Sequence, residues 1–195
     1  MGLFRKKLSP EQFWDWLLNN IESIRTVTSP NDKAFKEFRK HLNQIQEGLA
    51  FEMGHLDENT FHIIISAEGI AERFPAVNAL RNTVPPLPPG LKIDFFRQPQ
   101  PGVDCIEMGG LRLCKSEIYF RVQPERDPLP FNLTLYMPTH AITDLGKSMS
   151  FILLDKTTGE EFVVTRIGPI DWLDVANKPE DAKPLVELYE SIRPS

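Results

Sequence analysis

The sequence predicts an α+β fold with two N-terminal helices, a mostly antiparallel sheet of about six or seven strands, one or two inserted helices and a C-terminal helix. Two observations predict this class. Apolar residues recur at helical spacing near both ends of the chain, and short apolar runs bounded by turn residues fill its middle. A chain of 195 residues can bury one core, so residues 1–195 are expected to form a single domain. The alternative is two sub-lobes, 1–84 and 91–195, joined by the proline-rich connector 85–90.

The first helix is predicted by a start signal, Ser9-Pro10-Glu11-Gln12. The Ser9 hydroxyl can accept a hydrogen bond from the Gln12 amide while the Gln12 side chain reaches back. Pro10 stands at the first helical position, where its missing N–H is not needed. Apolar residues then recur at intervals that place them on one helix face, which is expected to pack against the core: Phe13, Trp16, Leu17, Ile21 and Ile24.

A second helix is predicted to begin near Asp32 and to end at Gly48, which is a typical helix stop. Two strands, 49–53 and 60–66, follow with a polar turn between them. A third helix comes next, and Pro75 marks a kink or a restart within it. The second helix has an apolar face with helical spacing, formed by Phe35, Phe38, Leu42 and Ile45.

A hairpin is predicted after the connector and a strand at 91–96, with Gly109-Gly110 as its two-residue turn. In this register apolar residues oppose apolar ones, opposite charges face each other, and Cys105 lies across from Cys114. These cysteines are candidates for a redox switch, although a reducing cytoplasm favours two reduced thiols packed side by side. The remaining pairs are Ile106 with Leu113, Glu107 with Arg112, Met108 with Leu111, and Asp104 with Lys115.

Two more strands are predicted at 117–123 and 131–137, with the proline-rich turn 124–130 between them. A helix capped near Thr139 or Thr143 is expected to follow.

The last third of the chain leaves one segment open. Residues 148–155 form a short apolar run, which is compatible with the end of that helix or with a buried strand. A strand at 160–167 and a terminal helix at 184–192 complete the predicted elements.

Composition excludes several classes of function. A net charge of −5 without a long basic stripe argues against binding to nucleic acid. The chain has neither an apolar run near 18 residues nor a signal-peptide pattern, so no membrane span is expected. Two cysteines are too few for a disulfide framework, and a cytoplasmic protein of undetermined oligomeric state is the simplest interpretation.

Catalytic and metal-binding motifs are absent from the sequence. It contains no nucleophile elbow, phosphate-binding loop, dinucleotide fingerprint or zinc-protease helix, so no catalytic residue and no cofactor are predicted. The four histidines show no metal-ligand spacing, and we expect no metal site: His41, His55, His62 and His140. An enzyme is not thereby excluded, because an active site built from distant residues leaves no local motif.

The chain resembles a family of uncharacterised bacterial proteins that have an aromatic helix start and a closing Asp-Trp segment. The resemblance implies a soluble α+β fold in a bacterial cytoplasm, and it assigns an activity to no residue. The segments that carry it are Phe13-Trp14-Asp15-Trp16, Phe74-Pro75-Ala76-Val77, Phe151-Ile152-Leu153-Leu154-Asp155, Gly159-Glu160, Val163, Ile167-Gly168 and Ile170-Asp171-Trp172.

Two classes of function follow from these features. The first is a non-enzymatic module that binds another protein through an uncovered sheet face or through a surface containing Trp14, Trp16 and Trp172, which predicts exposed aromatic side chains. The second is a small-molecule-binding protein or enzyme with a pocket between helices and sheet. The candidate pocket residues are Asp155, Glu160, Arg166 and Asp171.

Overall fold

A computed structural model describes residues 7–123 and 130–192, and it shows an α+β fold. The chain forms two compact units, Met1–Phe96 and Arg97–Ser195. The boundary lies after the strand Leu91–Phe95 and not in the proline-rich connector. This strand belongs to the first unit because it pairs with Phe61–Ser66. The described strands form three sheets where the sequence predicted one.

The N-terminal unit contains a three-stranded sheet in the order β1-β2-β3. Strands β1 and β2 are antiparallel, whereas β3 returns parallel to β2 after a helix and the proline-rich segment. The elements are α1 (Pro10–Asn19), α2 (Ile21–Arg25), α3 (Lys33–Ile45), β1 (Ala50–His55), β2 (Phe61–Ser66), α4 (Phe74–Asn82) and β3 (Leu91–Phe95).

The predicted start of α1 is confirmed in detail. Ser9 and Gln12 form the reciprocal capping box, with both side chains bonded to backbone N–H groups. The helix ends earlier than predicted, because the side-chain amide of Asn20 donates to the Trp16 carbonyl at 2.8 Å and the chain restarts as α2.

One face of the three-stranded sheet packs against the helices. The Phe51 ring of β1 lies 4.7 Å from the Phe35 ring and 4.6 Å from the Phe38 ring, both on α3. Strand alternation places Glu52 and His62 on the opposite face. The helices of this unit thus cover the aromatic face of the sheet.

The C-terminal unit has a four-stranded sheet in the order β8-β7-β6-β9 and a separate hairpin, β4-β5. The four-stranded sheet is antiparallel apart from the parallel pair β7 and β8. The elements are β4 (Cys105–Met108), β5 (Leu111–Cys114), β6 (Tyr119–Gln123), β7 (Phe131–Met137), α5 (Asp144–Thr158), α6 (Glu160–Arg166), β8 (Ile167–Asp174), β9 (Lys183–Pro184) and α7 (Leu188–Ile192).

The predicted hairpin register is confirmed at the four pairs that lie within β4 and β5, from Cys105 opposite Cys114 to Met108 opposite Leu111. The predicted strands at 117–123 and 131–137 correspond to β6 and β7. Residues 124–129 of the predicted proline-rich turn lie outside the described residues.

The prediction of a strand at 160–167 is wrong. These residues form α6, and β8 begins only at Ile167. The cause is Gly159, which ends α5 with a φ of 90° and lets the chain turn directly into another helix. The segment 148–155, left open by the sequence, belongs to α5, whose first turn is capped by the Thr143 hydroxyl through the Gly146 amide.

The core of the C-terminal unit lies between α5 and one face of the four-stranded sheet. Buried side chains of α5, such as Met149 and Leu153, share one cluster with Leu133 and Leu135 of β7. The predicted terminal helix is present but shorter than 184–192, because Lys183–Pro184 pairs with β6 as β9 and α7 spans only Leu188–Ile192; its Leu188 is buried in the same cluster.

Candidate functional site

Trp14 is not part of a docking surface. Only 1 % of it is exposed, and its indole N–H donates to the Leu80 carbonyl at 3.2 Å and to the Thr83 hydroxyl at 3.1 Å, both at the end of α4. The expectation of an exposed Trp14 is therefore corrected, because the helix face that carries it is turned against α4 and β3. Its ring meets Phe95 edge to face.

Trp16, by contrast, borders a cavity of the N-terminal unit, which we call the Trp16 cavity. The half-buried Trp16 ring stacks on the imidazole of His41, with 3.8 Å between the ring centroids. The cavity has a volume of about 780 Å³ and lies among α1, α2 and the first turns of α3. Ile24 and Val27 supply apolar wall, while Asp32 and the residues around it supply a polar rim.

The polar rim is preorganised by backbone hydrogen bonds. One Asp32 carboxylate oxygen accepts from the Thr28 and Ser29 amides at 2.9 Å each. These bonds, first the one from Thr28, hold the Asp32 pKa below its ordinary value. Asp32 therefore stays ionised beside Lys33 and Glu37, which also border the cavity.

Trp172 is one of three apolar side chains that lie around strand β8 on both faces of its sheet, which we call the β8 edge patch: Phe151, Trp172 and Leu173. The Phe151 and Trp172 rings meet edge to face at 5.7 Å, and the Trp172 indole N–H donates to the Ser150 hydroxyl at 3.0 Å. Phe151 is 43 % exposed and Leu173 is 45 % exposed. Trp172 itself is half-buried, because its other surface packs against the core.

The strand that carries this patch lies at an edge of its sheet. Strand β8 pairs with β7 on one side, and no described strand pairs with its other side. Alternation along the strand turns Trp172 toward α5 and Leu173 toward the opposite face of the sheet. Apolar side chains thus flank the unpaired edge on both faces.

None of the four predicted pocket residues lines the Trp16 cavity or the cavity beside the terminal helix. Glu160 is fully buried, and its carboxylate accepts from the Arg97 amide at 3.0 Å while its own amide donates to the Arg97 carbonyl at 2.9 Å. Asp171 is exposed on β8, where the Gln123 side-chain amide lies 3.5 Å away. Asp155 and Arg166 are half-buried in the last turns of α5 and α6.

A second cavity of about 690 Å³ lies in the C-terminal unit. It is bordered by α6 and the terminal helix, where the Phe162 and Tyr189 rings approach to 5.1 Å. Tyr189 and Val186 are exposed at 41 % and 57 %. No sequence pattern predicted this cavity, because its walls come from three segments that are distant along the chain.

The structure also assembles a charged cluster that the sequence did not predict. The His62 Nε2 atom lies 2.8 Å from an Asp94 carboxylate oxygen, and the Lys92 ammonium lies 2.8 Å from the same oxygen. Burial raises the Asp94 pKa, but the hydrogen bonds and charges of Lys92 and His62 outweigh it, so that this pKa lies below its ordinary value. The only sequence signal was that two adjacent strands carry these residues.

Cys105 and Cys114 are joined by a disulfide, with their Cα atoms 4.0 Å apart. The structure thus differs from the expectation of two reduced thiols, because the hairpin register places the two sulfurs directly opposite each other. Within residues 7–123 and 130–192, no group of three or more His, Cys, Asp or Glu side chains could hold a metal ion. No helix in that part of the chain is long and apolar enough to cross a membrane.

Comparison of the chain with protein-family models, with curated proteins and with solved structures found no match. The resemblance to a bacterial family therefore stays a prediction.

Proposed function

We propose that this chain is a non-enzymatic module that binds another protein through the β8 edge patch. The observation that carries the proposal is the exposure of Phe151 and Leu173, at 43 % and 45 %, beside strand β8, whose outer edge pairs with no described strand. Exposed apolar side chains around an unpaired strand edge are typical of protein-interaction sites.

The geometry favours an extended segment of the partner, added to the sheet as a further strand. Main-chain hydrogen bonds would supply affinity, and alternate side chains of the added strand would contact Trp172 on one face and Leu173 on the other. Pro169 has no N–H to offer, so the pairing would use the part of β8 that follows it. The partner segment is therefore expected to have alternating apolar side chains.

Charge adds a preference to this interaction. The Lys147 ammonium lies 5.3 Å from the centre of the Trp172 ring, and Asp171 and Asp174 lie on β8 itself. A partner strand with basic residues on the side of Asp171 would be favoured. The proposed location is the cytoplasm of a bacterium, which the family resemblance supports.

The proposal can be tested with a photo-crosslinking residue at position 173 in the native host. The expected result is one recurrent crosslinked protein at 173, weakened when Phe151→Ser is added, because that change removes one of the two exposed apolar side chains beside the added strand. Position 56 is the matched control, since Leu56 is also an exposed leucine, at 57 %, but belongs to the N-terminal unit. Equal crosslinking at both positions, or none at 173, would refute the proposal.

A second candidate function, binding of a small molecule, is favoured by the Trp16 cavity. Its volume of about 780 Å³ lies within the range of ligand pockets, roughly 300 to 1,000 Å³. It combines an aromatic wall with a few fixed polar groups, as such pockets do. Native mass spectrometry of the purified protein tests this function. A bound mass that disappears in an Ala34→Phe variant, which fills the cavity, would support it, and an unliganded protein in both forms would count against it.

A further inference from the structure

The two sulfurs of the hairpin disulfide have polar neighbours of different charge. A terminal nitrogen of the Arg112 guanidinium lies 3.5 Å from the Cys105 sulfur. The Cys114 sulfur instead accepts a hydrogen bond from the neutral Glu117 amide, and the Cys114 amide donates to a carboxylate oxygen of Glu117 at 2.9 Å, which keeps a negative charge beside that cysteine. A nearby cation favours a thiolate and a nearby anion disfavours it.

Two other charged residues, Lys115 and Glu107, belong to this region. Lys115 follows Cys114, but its ammonium is engaged by the carbonyl oxygens of Gln100 and Lys156 at 3.3 Å each. Burial lowers the Lys115 pKa, and the Asp104 charge partly restores it. Glu107 lies opposite Arg112 in the register and leaves the guanidinium within reach of the sulfur. Arg112 is thus the cation in direct contact with the disulfide.

We propose that this disulfide is a thiol-exchange site with a fixed direction, in which Cys114 receives the incoming thiol and Cys105 leaves. The thiolate of an external thiol attacks the Cys114 sulfur, the bond between the two cysteines breaks, and its electron pair passes to the Cys105 sulfur beside Arg112. The products are a mixed disulfide on Cys114 and a Cys105 thiolate, which then takes a proton from solvent. A second external thiolate can release Cys114 as a thiol and leave as the oxidised dimer of the reagent.

The consequence of exchange is a looser hairpin. Strands β4 and β5 have four residues each and form a two-stranded sheet of their own. An isolated pair of this length is marginally stable without a covalent link. Disulfides in a reducing compartment are usually transient and redox-sensing, so the proposed cytoplasmic location fits a reversible bond here.

The experiment uses the oxidised full-length chain and glutathione as the probe. The protein is mixed with a limiting amount of reduced glutathione, quenched with acid, alkylated and cleaved after Glu107, which separates the two cysteines. Mass spectrometry then assigns each modification. The expected result is glutathione on Cys114 and alkylation on Cys105, in several-fold excess over the reverse arrangement. Glutathione on Cys105 in equal or greater amount would overturn the proposal, and so would two free thiols in protein purified in air.

A variant pair tests the role assigned to the guanidinium. Arg112→Gln is expected to slow the exchange about threefold, because without the adjacent positive charge the Cys105 thiolate is a poorer leaving group. Arg121→Gln is the matched control, since it also removes an exposed arginine charge from the C-terminal unit but pairs with Asp181 and not with a sulfur. Equal rates and equal site ratios in the two variants would contradict the assignment.

Discussion

The burial of Trp14 yields a sharp prediction about the stability of the N-terminal unit. Replacing Trp14 with Phe removes the indole N–H that reaches Leu80 and Thr83. A hydrogen bond of this kind contributes about 1 kcal/mol. The smaller ring also leaves unfilled the space of about two methylene groups, at about 0.8 kcal/mol each. We therefore expect Trp14→Phe to lower the free energy of unfolding by about 2 to 3 kcal/mol.

The assay is urea unfolding followed by far-UV circular dichroism, which does not depend on the tryptophan that is removed. Trp16→Phe is the matched control, because Trp16 lies two residues along the same helix but is half-buried and stacks on His41 by its ring face, which Phe retains. Its expected effect is below about 1 kcal/mol. A Trp14→Phe loss no larger than the Trp16→Phe loss would refute the inference that Trp14 is a core residue.

Three further predictions follow from the packing and the charges. Gly146→Ala should destabilise the chain by about 3 kcal/mol, because the added Cβ would meet the backbone oxygen of Ala141. Gly102→Ala is the control and should be nearly neutral, since nothing lies within 4 Å of the added Cβ. Thermal unfolding of both variants measures the difference. Thr143→Ala should lower the free energy of unfolding by about 1 kcal/mol through loss of the α5 cap, measured by urea unfolding. Because the folded-state pKa of Asp94 lies below its unfolded value of 3.8, the ionised Asp94 stabilises the fold at pH values above 3.8, and this stabilisation should fade as the pH falls below 3.8. The difference in unfolding free energy between the wild type and Asp94→Asn should therefore shrink over that range. A difference that is independent of pH would contradict the prediction.

The two proposed surfaces make different demands on the chain. The β8 edge patch needs exposed apolar side chains such as Leu173. Pairing of β8 with β7 keeps these side chains in place. The hairpin disulfide needs two sulfurs in register and one adjacent cation. Loss of one function leaves the other testable, because the crosslinking experiment does not involve the cysteines.

Local sequence determined the features whose energetics are local. The capping box of Ser9 and Gln12 depends on residues three apart, and the hairpin register depends on a two-residue glycine turn with complementary pairs around it. Both were predicted correctly because the residues that determine them are close in the sequence. The turn at Gly159 is also a local feature, but the β-branched residues that follow it led to the prediction of a strand. In the structure these residues form α6, where the buried Glu160 side chain accepts a hydrogen bond from the Arg97 amide.

The tertiary structure alone decided which helix or strand packs against each face of an element. Helical spacing identified an apolar face on α1, but the exposure of Trp14 and Trp16 depends on where α4 and α3 lie against that face. In the same way, His62 acquired a carboxylate partner only when β3 paired in parallel with β2 and brought Asp94 beside it. Pairing between distant segments is set by the packing of the whole unit, and a periodicity within one segment contains no information about its partner.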